Sequence, residues 1–107
     1  MRLNTRSKNL TEPEKEQFET YLEEKLRRVT RMMDSHYPDP DTVKIDATIE
    51  KFDKHTAFAF EYVLEMPRHK PFFARQVKHS VTESMDRATD MLEKQLVKHF
   101  KKLTREG

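Results

Sequence analysis

The chain contains no cysteine, and its single glycine is the last residue, Gly107. Without cysteine there is no disulfide, no thiolate nucleophile and no sulfur ligand for a metal, and the chain reads as cytoplasmic. Without an internal glycine no glycine-rich loop can cradle a phosphate, which removes nucleotide-hydrolysing and dinucleotide-binding readings. No apolar run approaches the ~18 residues that a membrane span needs, and the opening MRLNTRSKNL lacks the apolar stretch of a signal peptide. Five histidines (His36, His55, His69, His79 and His99) are scattered without the spacing of a metal site. Serines and threonines appear outside any nucleophile motif, and the pair Glu23–Glu24 reads as a solvated helix face. No enzymatic activity, no cofactor and no small-molecule substrate are expected.

What the chain has in quantity is charge. Of 107 residues 37% are charged, with 21 basic and 19 acidic side chains, so the net charge is only +2. The length fits one domain, residues 1–107, able to bury roughly 65% of its extended surface around one modest core. The distribution of charge says more than the sum. Acids crowd residues 12 to 24. Bases crowd Lys25 to Arg31, Arg68 to Lys78 and Lys94 to Arg105, and the second of these segments holds no acid. Segregated charge on one small domain points to a nucleic-acid partner; surface helices with ordinary charge bias are the plainer reading.

Periodicity supplies the elements. Phe18, Leu22, Leu26, Val29 and Met33 recur at helical steps, widened by Tyr21 and Met32, and Thr11-Glu12-Pro13-Glu14 reads as a capped start. The first helix is predicted over about 12–34, stopped by Pro38 and Pro40. A second begins at the capping box Ser80–Glu83, with the stripe Val81, Met85, Ala88, Leu92, Leu96, Phe100 and Leu103, and runs close to the C-terminus. Between them Val43, Ile45, Ala47 and Ile49 alternate with polar residues, as do Phe58, Phe60, Tyr62, Leu64 and Met66 with their neighbours. Residues 72–78 make a third strand, and residues 1–7 alternate weakly as a first. The hairpin around Asp53-Lys54 lacks glycine and is expected to be a longer loop. The predicted class is α+β: a two-layer sandwich of order β-α-β-β-β-α, a four-stranded sheet with both helices on one face.

Lys25, Arg28 and Arg31 recur at three-residue steps on the first helix. Lys94, Lys98, Lys101 and Lys102, with Arg87 two turns earlier, share one side of the second. With both apolar stripes on the sheet, these rows face outward and are expected to lie side by side as a basic furrow along a phosphate backbone. Two solvated helix backs, their end charges answering the helix dipoles, are the plainer alternative. His69 and His79 lie among bases, where phosphate contact is one expectation. Phe58, Phe60 and Tyr62 are read as core rather than as a base-stacking platform.

The element order, the opening LNTRSKNLT and the run Ser84-Met85-Asp86-Arg87-Ala88 followed by Met91-Leu92-Glu93-Lys94-Gln95-Leu96 resemble the ribosome hibernation-promoting factors, also called ribosome-associated inhibitor or YfiA-like proteins. The resemblance covers nearly the whole chain. Met91 and Thr82 depart from the family's usual Lys and Tyr. The resemblance implies a factor that enters the small ribosomal subunit, occupies the decoding region and silences translation in stress or stationary phase. On that basis Lys25, Arg28, Arg31, Lys94, Lys98, Lys101 and Lys102 are the expected contacts to ribosomal RNA, and Arg87 joins them by its place on the same side of the second helix. The chain looks most like the short form, without the dimerising domain of the long forms. Two other readings stay open: a general binder of structured RNA by shape, and a protein-interaction module using the open sheet face or an edge strand.

Overall fold

Alternation and helical period resolve into the expected order. The elements are β1 (Arg2–Lys8), α1 (Glu12–His36), a short 3-10 turn (Pro40–Thr42), β2 (Lys44–Phe52), β3 (Ala57–Glu65), β4 (Phe72–Lys78) and α2 (Val81–Glu106). A computed structural model describes residues 1–37, 39–54 and 56–106, excluding the side chains of Pro40 and of residues 103–106. Pro38 and His55, and the side chains of Leu103 and Arg105, therefore lie outside the described residues. The sheet order is β1-β2-β3-β4. β1 runs parallel to β2, a pairing that needs a crossover, and α1 supplies it. The other pairs are antiparallel, and the β2–β3 register ends with Phe52 opposite Ala57.

Each helix begins where its cap predicts. Thr11 donates its backbone N–H to Glu14 Oε1 at 2.9 Å, while Thr11 Oγ1 accepts from the Glu14 N–H at 3.3 Å. These reciprocal bonds satisfy two amides that the helix itself leaves unpaired. The Thr11 hydrogen bond, with Lys51 beside it, holds the Glu14 carboxyl below its ordinary pKa, and partial burial opposes this. At the start of α2, Ser80 Oγ accepts from the Glu83 N–H at 3.1 Å. α1 outlasts its expected end by two residues, closing where the Tyr37 N–H reaches the Met33 carbonyl at 2.7 Å. The lack of internal glycine shows in the connections. Asn9, Thr56 and Arg68 take positive φ values of 65°, 43° and 64°, a conformation that costs a non-glycine residue roughly 1–2 kcal/mol.

Both apolar stripes lie on one sheet face. Phe18, Leu22, Val29 and Met33 of α1 and Val81, Met85, Ala88, Leu92, Leu96 and Phe100 of α2 join Ile45, Ala47, Ile49, Phe58, Phe60, Tyr62 and Leu64 in a single core. Phe60 sits edge-on between Phe18 and Tyr62 at ring separations of 6.1 and 4.7 Å, so the strand aromatics are core, as their alternation predicts. The Tyr62 hydroxyl lies 3.0 Å from Thr89 Oγ1, whose own proton goes to the Met85 carbonyl at 2.7 Å. Tyr62 must therefore be the donor, and burial raises its pKa to about 12. Among the described residues no buried side-chain polar atom lacks a partner.

The opposite sheet face stays open and carries Phe73, 58% exposed, with Arg75 and Val77 on β4. One-sided packing makes α2 indispensable. Leu92, fully buried beneath it, should lose about 2–5 kcal/mol of stability as Leu92→Ala. A urea melt showing an unchanged midpoint would mean that α2 does not pack in this way.

Candidate nucleic-acid interface

Two helices on one sheet face must meet along their flanks, and here the flanks are charged. α1 presents Tyr21, Lys25 and Arg28; α2 presents Asp86, Asp90 and Glu93 with the same spacing of four and then three residues. Lys25 Nζ lies 2.6 Å from Asp86 Oδ1, and the Tyr21 hydroxyl donates to that same oxygen at 2.6 Å. Arg28 reaches Asp90 at 3.2 Å and also bonds Glu93. The Lys25 side chain is only 12% exposed. Its hydrogen bond to Asp86 raises its pKa against the opposing effect of desolvation. Burial disfavours the Asp86 charge, but the Lys25 and Tyr21 hydrogen bonds prevail and hold that carboxyl below its usual range. The Asp86 bond also raises the Tyr21 pKa.

The groove above this seam is therefore not a basic furrow. Lys25, Arg28 and Arg87 line it together with Glu83, Asp86 and Asp90, three cations against three carboxylates. The three-residue spacing of Lys25, Arg28 and Arg31 explains the difference. On a helix of 3.6 residues per turn each such step drifts by about 60°, so Lys25 turns into the seam while Arg31 turns away to solvent. Arg31, Arg87, Lys94, Lys98, Lys101 and Lys102 are all exposed, and no ion pair joins them to a described residue. Arg87, Lys94, Lys98 and Lys101 fall on one outward line of α2 by helical phase. What the structure brings together is a row of exposed cations on α2, with Glu83 and Asp90 beside Arg87 at its N-terminal end and Lys94, Lys98 and Lys101 beyond them. Asp86, Asp90 and Glu93 are the residues that a charge count along the sequence overlooks; their spacing, matched to that of Tyr21, Lys25 and Arg28, is the signal that could have found them.

A family model described as sigma 54 modulation protein / S30EA ribosomal protein matches residues 3–104. The chain belongs to this family. Two solved structures share its fold. One is a ribosomal subunit interface protein from Coxiella burnetii, with a TM-score of 0.65, 18% identity, and coverage of 92% of this chain and 97% of that one. The other is the N-terminal domain of Protein Y from Thermus thermophilus, with a TM-score of 0.66, 20% identity, and coverage of 90% and 96%. No curated protein sequence matches significantly. The resemblance read from the opening strand and the second helix is thus the correct family.

In this S30EA-family domain the acid-free segment divides. Arg75 faces outward on the open sheet face, opposite Glu61. The turn bearing Arg68, His69 and Lys70 folds instead against the last turns of α2. His69 stacks on Phe72 at 4.7 Å and meets the His99 ring at 4.4 Å, and Phe100 links His99 to His36 at the end of α1. Among the described residues no three potential ligands could hold a metal, and no helix is long and apolar enough to cross a membrane.

Partial burial, then the neighbouring charges of His69 and Lys102, push the His99 pKa below 6.5. The folded protein thus binds fewer protons at this site than the unfolded chain does, so stability rises with pH between the folded pKa and about 6.5. Urea midpoints should fall as pH drops from 7 to 5, and His99→Gln should flatten that slope. Parallel slopes for the two proteins would remove His99 as the cause.

Proposed function

We propose that this domain binds the small ribosomal subunit in its decoding region and blocks translation by occupancy, as a hibernation factor acting under stress or in stationary phase. The observation that carries the reading is the row Arg87, Lys94, Lys98 and Lys101, exposed along α2 and in no ion pair with a described residue. Family membership and the printed descriptions of the two structural relatives support the ribosome as its target. Cations so placed neutralise phosphates and release counterions without reading base edges. Arg31 and Lys102 extend the surface. In this reading Lys25 and Arg28 act as positioning residues: they hold the two helix backs at a fixed separation, and their charge is already spent on Asp86, Asp90 and Glu93. No bound metal, nucleotide or other small molecule is required.

The test is co-sedimentation with isolated small subunits and with whole ribosomes, across a salt series, beside an in vitro translation assay. Binding should weaken with salt by a log–log slope of about −0.7 to −0.9 for each phosphate neutralised. Lys94→Glu/Lys98→Glu should abolish pelleting and inhibition while moving stability by less than about 0.5 kcal/mol. Arg75→Glu, on the open sheet face, should leave both intact. Pelleting unaffected by the α2 double substitution would refute the reading. Equal affinity for free structured RNA and for the subunit would turn it into general RNA binding.

A further inference from the structure

β1 is a bare edge. It closes one side of the sheet, and all seven of its residues are exposed. The Arg2 N–H donates to the Val43 carbonyl at 2.8 Å. Because hydrogen-bonding direction alternates along a strand, Arg2, Asn4, Arg6 and Lys8 aim their backbone groups at β2. Leu3, Thr5 and Ser7 aim theirs outward, and no group among the described residues takes them up. The other edge differs: Gln95 Nε2 of α2 donates to the Phe73 carbonyl of β4 at 2.8 Å.

Beside the free edge lies a groove of about 490 Å³ between β1 and α1, with an apolar floor of Leu3, Leu22 and Leu26 and the charged Glu19, Glu23, Arg27 and Arg31 also in its lining. Leu3 is 45% exposed there. On the other face of the same strand stand Arg2 and Arg6, which pair with no described acid, and Lys8, which reaches Glu50 at 3.6 Å. A strand laid along β1 would send alternate side chains into the groove and alternate ones beside the arginines.

We infer that β1 is a docking edge for an extended peptide alternating apolar and acidic residues, added to the sheet as a fifth strand. Apolar side chains fill the groove over Leu3, Leu22 and Leu26. Carboxylates on the other alternation meet Arg2 and Arg6. Backbone groups of Leu3, Thr5 and Ser7 supply the ladder. A second copy of this chain is the wrong occupant, because pairing β1 with itself sets arginines and a lysine against their like. Nucleic acid is wrong as well, since it offers neither a strand ladder nor alternating apolar side chains. This edge lies across α1 from the cationic row of α2; of the residues assigned to ribosome binding only Arg31 borders the groove, and the proposal rests instead on Leu3, Leu22, Leu26, Arg2 and Arg6.

The test titrates the isotope-labelled full chain with a short peptide alternating valine and glutamate, and with a valine–lysine peptide as the charge control. The glutamate peptide should shift the amides of Leu3, Thr5 and Ser7 and slow their exchange with solvent, while α2 amides stay unchanged. The lysine peptide should bind about tenfold more weakly, the size expected when two exposed attractions become repulsions. Arg2→Glu/Arg6→Glu, which alters only exposed side chains, should invert the preference. The inference fails if neither peptide perturbs β1, if the shifts map to β4 or the open sheet face, or if the double variant keeps the original preference. Concentration-dependent shifts of β1 without peptide would make the occupant a second copy, and would equally overturn it.

Discussion

This domain can build a core on only one side of its sheet, and the rest of the structure follows from that. Strands β2 and β3 bury alternate residues, Ile45 to Ile49 and Phe58 to Leu64, beneath two amphipathic helices. With the apolar supply used there, the opposite face keeps charges, threonine and a few exposed apolar side chains. Both helices must share the covered face, so their flanks are pressed together whatever their charge. The flanks are compatible because acids of α2 stand at the positions that meet Tyr21, Lys25 and Arg28.

That forced meeting sorts the cations. Those facing the seam are held against carboxylates, partly desolvated, and lose their long-range field. Those turned away keep it, and lie exposed along α2 in no ion pair with a described residue. A net charge of +2 hides this arrangement, because the acids are spent inside the seam and in the first half of α1. A nearly neutral protein thereby presents a strongly cationic ridge, the feature a phosphate backbone requires.

Helices, caps and strands were legible in the sequence because their signals are local. Thr11 and Glu14, or Leu92 and Leu96, lie within one or two turns of each other, and the periods of 2 and 3.6 place them without knowledge of the fold. The class, the element order and the sharing of one face followed from the same patterns. The seam was not legible in that way. Lys25 and Asp86 are far apart in the chain, and a three-residue spacing taken for one face drifts far enough to separate Lys25 from Arg31. The histidine cluster was hidden for the same reason, since His36, His69 and His99 approach only after the helices dock. The groove beside β1 was equally out of reach, because Leu26 reads as an ordinary stripe residue until β1 leaves it half covered.

The division between seam cations and outer cations meets its most direct test in the charge swap Arg28→Glu/Glu93→Arg, which exchanges the partners and leaves the net charge unchanged. Stability should recover most of what Arg28→Glu alone loses, short by the repulsion that the new carboxylate meets from Asp90, and co-sedimentation with ribosomes should be unaltered at matched salt. A swapped protein that recovers its stability but no longer sediments with ribosomes would show that Arg28 itself contacts RNA, and would contradict the assignment of the seam to structure and of the outer row to binding.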